Sequence, residues 1–193
     1  GLDFSNDSSK FVACGRSGIG AGKLSLYTVS HSGAWSLVSS VNMNPSLSTP
    51  VDCRVSPFDG KISVDIASKI TIYDSALSSS WNWAAGSTTY SKMVFDTLGT
   101  YILYIDTNGN KFYNLHIING AATAFSGPSA LLNALDFSYN GKYIATGGDD
   151  KILYMYDSTR TSIERWNTNH LIKALAFSKN SINQKLFVGD FSG

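Results

Sequence analysis

Long apolar runs, an excess of charge of one sign and clusters of metal-binding residues are all missing from this 193-residue sequence. Fifteen basic residues stand against 14 acidic ones without a basic stripe, so we expect no nucleic-acid partner. No stretch approaches the roughly 18 consecutive apolar residues of a membrane helix, so we expect no membrane insertion. Because 43% of the residues are hydrophobic, the chain can nevertheless build a substantial core.

Cysteine and histidine are equally scarce, with two and three residues in the chain. Cys14 and Cys53 lie in apolar contexts, without the spacing of a metal site. We therefore predict two buried thiols, no metal, no cofactor and a cytoplasmic location, and the sequence leaves open whether the two cysteines are bonded. Neither a GxSxG nor an HExxH motif is present, and we predict no catalytic residue.

A short apolar pattern that ends in a small polar residue recurs five times along the chain. The last apolar residues of the copies are separated by 51, 40, 42 and 40 residues, and they are Phe4, Val55, Phe95, Phe137 and Phe177. A period of about 40 to 45 residues is typical of the four-stranded blade of a β-propeller. The repeat therefore predicts an all-β fold.

Turn residues and further strands follow the copies in a repeated order. Ser138-Tyr139-Asn140-Gly141 is a tight-turn sequence and leads into the apolar run that starts at Tyr143. Lysine opens each of four predicted third strands. Residues 162–177 could instead form an amphipathic helix, but the repeat pattern predicts a strand at residues 171–177. We predict a single domain over residues 1–193, with antiparallel blades at 2–41, 51–84, 92–125, 132–166 and a partial one at 171–189.

Residues 135–157 resemble one WD40 repeat from its inner strand through its third strand. Tyr156-Asp157 stands where that family has Trp-Asp, and Gly127-Pro128 stands where it has Gly-His. The resemblance implies a β-propeller of four-stranded antiparallel blades. It also implies that Thr146 and one of the two hairpin aspartates, Asp149 or Asp150, belong to the buried hydrogen-bond network of the repeat.

The resemblance further implies a non-catalytic scaffold that binds other proteins or peptides, as a subunit of a larger assembly. The alternative is an enzymatic or small-ligand-binding propeller with its site at the mouth of the channel. Convergence of Asp3, Asp52, Asp136 and His170 on one point would favour that alternative. For Asp3, an ion pair with Arg54 of the next repeat is a stronger expectation than catalysis.

We choose the candidate residues for contact with a partner by their positions in the predicted loops. They lie in the hairpins between second and third strands, or at the starts of inner strands, and should share one rim. These residues are Arg16, Lys69, Tyr90, Lys92, Asn108, Asn133, Asp149, Asp150 and His170. In the hairpin at Asp149, we expect Gly147 or Gly148 to adopt a positive φ angle.

Counting strands gives about four and a half blades, because the fifth repeat contains only two strands. Propellers leave no long open edges. We therefore expect further sequence or a second chain to complete the ring.

Overall fold

The computed structural model describes residues 1–17, 21–43, 50, 52–66, 69–84, 90–106, 111–125, 128–157, 159, 161–179 and 182–191. Within these ranges every regular element is a β-strand, which confirms the all-β prediction. The chain divides into two compact units, Gly1–Tyr90 and Ser91–Gly193. A single domain over the whole chain remains a prediction.

The first unit contains two four-stranded antiparallel sheets, each with its strands in chain order. The strands of the first sheet are β1 (Leu2–Phe4), β2 (Lys10–Ser17), β3 (Ala21–Val29) and β4 (Trp35–Asn42). The strands of the second sheet are β5 (Cys53–Val55), β6 (Ile62–Ile66), β7 (Lys69–Tyr73) and β8 (Ser80–Ala84).

The third and fourth sheets are also four-stranded, and the fifth has two strands. The strands of the third sheet are β9 (Tyr90–Phe95), β10 (Tyr101–Asp106), β11 (Lys111–His116) and β12 (Ala122–Phe125). Its first residue, Tyr90, is the last residue of the first unit. The fourth has β13 (Leu132–Phe137), β14 (Tyr143–Gly148), β15 (Ile152–Asp157) and β16 (Ser162–Asn167). The fifth pairs β17 (Leu171–Phe177) with β18 (Leu186–Phe191). Residues 162–167 and 171–177 therefore form strands and not the competing helix. Further strands that would complete the fifth sheet remain a prediction.

The predicted tight turns connect the first and second strands of these sheets. The Ser138 carbonyl accepts a hydrogen bond from the Gly141 amide at 2.8 Å, and the Ser138 hydroxyl accepts one from the Tyr143 amide at 2.8 Å. Gly141 has a φ angle of +69°, which a side chain would disfavour. Gly60 and Gly99 adopt the same conformation at equivalent turns, with φ angles of +69° and +62°. The glycine that recurs in these turns is therefore needed for its positive φ angle.

Apolar side chains pack between neighbouring sheets inside each unit. In the first unit one cluster joins Val12 and Leu24 of the first sheet to Val55 and Val64 of the second. In the second unit, Phe112 of the third sheet packs with Tyr156 of the fourth, and their ring centres are 5.2 Å apart. A further cluster joins Ala145 and Leu153 of the fourth sheet to Ile172 of the fifth. This face-to-face packing follows from strands that are apolar on both sides.

The hairpin glycines differ from the sequence expectation. Positive φ angles fall at Lys151, with φ +63°, and not at Gly147 or Gly148. Glycine is required at these two positions because neighbouring atoms leave no room for a side chain. A Cβ atom at Gly147 would lie 2.7 Å from two side-chain carbons of Ile172, and one at Gly148 would overlap the Leu131 carbonyl oxygen.

Candidate interaction surface

Two inner strands of the second unit carry a β-bulge at the same place. In β13 the register shift falls at Asn133, and in β17 it falls at Lys173. Each residue lies four positions before the phenylalanine that ends its strand, Phe137 or Phe177. A bulge leaves one residue out of the ladder and turns its side chain in a new direction.

The two bulged side chains both contact Asp149. The Asn133 side-chain amide donates to Asp149 Oδ1 at 2.7 Å and to the Ile172 carbonyl at 3.0 Å. The Lys173 ammonium donates to the same Asp149 oxygen at 2.8 Å. These contacts, first with Lys173 and then with Asn133, hold the pKa of Asp149 below its usual range. Residues from two strands, β13 and β17, are thereby joined to the hairpin between β14 and β15.

Asp150, the next residue of the hairpin, is bound on both oxygens. Its Oδ2 accepts hydrogen bonds from the Tyr154 hydroxyl at 2.9 Å and from the Ser129 amide at 3.1 Å. Its Oδ1 accepts the Ile152 amide at 3.2 Å. Burial, together with Asp150, raises the pKa of Tyr154 to about 12. The Arg165 guanidinium lies 5.7 Å from the centre of the Tyr154 ring, within cation–π range.

The segment between β16 and β17 lies against the same hairpin. The Thr168 amide donates to the Lys151 carbonyl at 2.9 Å, and the Thr168 hydroxyl lies 2.8 Å from the His170 carbonyl. Asn169 takes a positive φ of +64° between them. This turn leaves the His170 side chain exposed beside the hairpin. We name the group the hairpin-end surface, made of Asn133, Asp149, Asp150, His170 and Lys173.

Four of the nine predicted contact residues belong to this surface, namely Asn133, Asp149, Asp150 and His170. Lys92 is exposed on β9, Lys69 is exposed at the start of β7, and Arg16 is exposed on β2 opposite Gly22. Tyr90 opens β9 but its side chain lies outside the described part, and Asn108 lies outside the described residues altogether. That all nine share one rim remains a prediction.

Sequence reasoning missed Lys173 and Ser129. The repeat itself contained a signal for Lys173, because this residue occupies in β17 the place of Asn133 in β13. Ser129 had no such signal, since it lies in a connecting segment with no counterpart in the repeat pattern.

Asp3 and Asp136 have equivalent structural roles. Asp3 Oδ2 accepts a hydrogen bond from the Val55 amide of the second sheet at 2.8 Å. Asp136 Oδ2 accepts one from the Phe177 amide of the fifth sheet at 2.7 Å. Each carboxylate therefore ties its own inner strand to the next one. Arg54, the expected partner of Asp3, forms an ion pair at 3.0 Å with Asp52.

One buried carboxylate was not anticipated. Asp65 in β6 is 1% exposed, and in the part of the chain that the structure describes neither of its carboxyl oxygens has a hydrogen-bond partner. Its backbone amide donates to the carbonyl of Asp52, the residue before β5, at 3.1 Å, so the two acids are close neighbours. Burial, with a smaller contribution from the Asp52 charge, raises the pKa of Asp65 to about 7.

The polar network implied by the WD40 resemblance is rearranged. Asp150, one of its two expected hairpin members, binds Tyr154 and Ser129 as given above. Thr146 is buried beside Tyr156, the residue that stands in place of the tryptophan. Burial raises the pKa of Tyr156. Among the described residues neither the Tyr156 hydroxyl nor the Thr146 hydroxyl has a hydrogen-bond partner, so Thr146 does not take the place in the network that the resemblance implied.

Among the residues that the structure describes, no group of three or more histidine, cysteine, aspartate or glutamate side chains is arranged to hold a metal ion. That described part also contains no helix long and apolar enough to cross a membrane.

Comparison with known proteins identifies one repeat. Residues 121–157 match the family model for the WD domain, G-beta repeat (WD40). The matched segment runs from the residue before β12 to the last residue of β15, and it includes Asn133 and the hairpin with Asp149 and Asp150. Curated proteins gave no match to the chain. Residues 121–157 are therefore similar to a WD40 repeat, and the four-stranded antiparallel sheets of both units are consistent with blades of a β-propeller.

Proposed function

We propose that this chain is a non-catalytic scaffold, a subunit of a larger assembly, that binds a protein or peptide at the hairpin-end surface. WD40 repeats generally serve in protein interaction, and propellers offer the loops at the ends of their blades for it. The single observation that supports this surface is the double bulge, which brings Asn133 and Lys173 onto Asp149. Side chains held in place before binding lose little entropy when a partner arrives.

The available chemistry of the surface suits a peptide. The Lys173 ammonium uses one donor for Asp149 and has two more for a carbonyl or carboxylate of the partner. Leu131, whose backbone carbonyl accepts the Asp149 amide, is 51% exposed and offers an apolar contact beside these charges. We therefore expect a partner segment with one acidic and one apolar side chain.

Ion pairing and hydrogen bonding disfavour acid–base catalysis by Asp149, Asp3 and Asp136. Asp149 has a lowered pKa and already neutralises Lys173, so it is a poor proton acceptor near neutral pH. Asp3 and Asp136 use an oxygen each on a backbone amide of the next strand. Both cysteines carry free thiols, which supports the cytoplasmic location that we propose.

The test is quantitative co-purification of the tagged chain from its source cells, followed by binding measurements with the recovered partner. Lys173→Glu should weaken that binding at least about tenfold, because it reverses the charge that faces the partner. Lys142→Glu is the matched control, since Lys142 is also exposed but follows the turn at the other end of β13 and β14. Equal binding by both variants would place the partner elsewhere, and the proposed surface would be wrong.

A further inference from the structure

The two cysteines of the chain lie in one apolar layer of the first unit. Cys14 is on β2 and Cys53 is on β5, and both belong to the cluster that fills the space between the first and second sheets. Side chains alternate along a strand, so Cys14 points to the same side as Val12, and Cys53 to the same side as Val55. Strands β2 and β5 also contact each other directly. Both thiols are therefore buried at the same junction of two sheets.

The backbone around the two cysteines is equally close. The Cys14 amide donates to the Gly1 carbonyl at 3.0 Å. On its other side Gly1 lies against the second sheet, because a Cβ atom there would be 2.9 Å from the Asp52 Cα and would overlap the Cys53 nitrogen. Gly1 thus touches both cysteine-bearing strands.

The thiols are free and interact with each other. A hydrogen bond from the Cys53 thiol lowers the pKa of Cys14 in spite of its burial. The same contact, together with burial, raises the pKa of Cys53. Of the two, Cys14 thus has the greater thiolate character, and a thiolate is the form that reacts with oxidants.

We propose that Cys14 and Cys53 are a redox-active pair, which hydrogen peroxide converts to a reversible disulfide bond between the first and second sheets. Neither the WD40 repeat, which lies at residues 121–157, nor the hairpin-end surface takes part. The inference therefore does not depend on the proposed function.

The reaction balances with one peroxide molecule. The Cys14 thiolate attacks one peroxide oxygen, the O–O bond breaks, and the hydroxide that leaves takes up a proton to become water. Cys14 is then a sulfenic acid. The sulfur of Cys53 attacks the Cys14 sulfur, the S–O bond breaks, and the departing hydroxide combines with the thiol proton of Cys53 as a second water. Two thiols are oxidised by two electrons, and the peroxide is reduced by the same number.

Hydrogen peroxide can reach the buried thiols because it is small and because strand β1 can open locally. Peroxide is about as small as the waters that enter protein interiors. Strand β1, which lies at the edge of the first sheet and contains Gly1's neighbour Leu2, has three residues and pairs only with β2 in that sheet. Leu2 is 63% exposed, so opening of β1 exposes little additional apolar surface, and its cost is the ladder to β2 and the hydrogen bond from the Val55 amide to Asp3.

The experiment treats the reduced, folded chain with about one equivalent of hydrogen peroxide and measures its intact mass and its free thiols after unfolding. We expect a mass loss of about 2 Da, no remaining free thiol and a peptide pair linked through Cys14 and Cys53. Dithiothreitol should restore the original mass. The melting temperature of the oxidised form should be higher by roughly 5 to 10 °C, because the bond restricts the unfolded chain.

Cys53→Ser and Cys14→Ser separate the roles of the two sulfurs. With Cys53 replaced, Cys14 should form a sulfenic acid that dimedone captures, whereas Cys53 alone should react at least about tenfold more slowly. The wild-type measurement does not depend on how well these variants fold. Persistent thiols in the folded chain, at a peroxide dose that oxidises the unfolded chain, would overturn the proposal. So would a disulfide that links two chains instead of these two residues.

Discussion

The second and fourth sheets have the same strand order and turns of equal length between their first two strands. They differ in the residue that lies at the hairpin end of the second strand. Nine residues after the turn serine, the fourth sheet has Gly147 and the second has Asp65. The space beside Gly147 is filled by Ile172 of the next inner strand. In the second sheet the same position buries a carboxyl group that has no hydrogen-bond partner in the described part of the chain.

This difference shows which features of a blade are interchangeable. Strand pairing depends on the backbone, so glycine and aspartate both fit the ladder. The packing of the next strand depends on the side chain, and here the two sheets diverge. In the fourth sheet the acidic residues lie in the hairpin and not in the strand. There Asp149 and Asp150 are partly exposed, and each has a hydrogen-bonded partner. The fourth sheet therefore has a polar surface at its hairpin, whereas the second sheet buries a carboxyl group that is costly to ionise.

The largest effect should come from filling the glycine space of the fourth sheet. Gly148→Ala should lower the free energy of unfolding by about 3 to 5 kcal/mol, because the added carbon overlaps the Leu131 carbonyl oxygen. Chemical denaturation followed by tryptophan fluorescence measures it. The matched control is Gly15→Ala in the first sheet, also ten residues after its turn serine, where an added Cβ meets nothing within 4 Å. Equal stability of the two variants would remove close packing as the explanation.

Removing the buried charge of the second sheet should have the next largest effect, with the opposite sign. The folded-state pKa of Asp65 is raised from 3.8 to about 7, so its favourable contribution is complete below about pH 4 and is lost as the pH rises through 7. Asp65→Asn should therefore raise the free energy of unfolding by about 2 to 4 kcal/mol at pH 8 and leave it nearly unchanged at pH 4. Denaturation at both pH values measures the difference.

Asp74→Asn is the control for that prediction. Asp74 lies in the same sheet after β7, and hydrogen bonds from Ser78 and Ser79 lower its pKa. A lowered folded-state pKa gives stability above the unfolded pKa that is lost as the pH falls, so this variant should be destabilised at pH 8. If Asp65→Asn were also destabilised at pH 8, the carboxyl group would have a favourable partner and the contrast between the sheets would fail.

A smaller loss is expected at the carboxylate that links the fourth sheet to the fifth. Asp136→Ala should lower the free energy of unfolding by about 1 to 2 kcal/mol, because the Phe177 amide loses its acceptor. The second sheet has Arg54 at this position and so has no carboxylate there for such a link. Thermal unfolding against an exposed control, Glu164→Gln, measures the effect. A loss no greater than that of the control would show that the link contributes little.

The smallest effect on stability should come from the hairpin-end surface itself. Lys173→Ala removes an ion pair with Asp149 that is open to solvent, so the free energy of unfolding should change by less than about 1 kcal/mol. The ion pair should weaken further at high salt. A stability loss above about 2 kcal/mol would mean that Lys173 serves the fold of the fifth sheet and not a partner.

The repeat pattern predicted most of the strands because its signals are local. The glycine and serine of each turn, and the apolar runs that follow, are read within a few residues. The predicted ends of the first and fourth blades, residues 41 and 166, lie within one residue of the ends of β4 and β16. The prediction of positive φ at Gly147 or Gly148 was wrong because these glycines are required by close packing with distant residues. Ile172 occupies the space beside Gly147, and the Leu131 carbonyl oxygen occupies the space beside Gly148.

The candidate site was predictable only in part for the same reason. Asn133, Asp149, Asp150 and His170 were found from their loop positions, which depend on strand boundaries. Lys173 was missed because its role depends on a bulge, and a bulge shows in pairing with another strand and not in the strand's own residues.

The sequence by itself determined the all-β class, the turns and the order of strands within each sheet, because side-chain alternation and turn chemistry act over a few residues. Only the tertiary structure decided which distant groups meet. It brought Cys14 to Cys53, Lys173 to Asp149, and Asp136 to the Phe177 amide. Such contacts depend on how one sheet packs on the next, and the residues that make them are 24 to 41 positions apart in the chain.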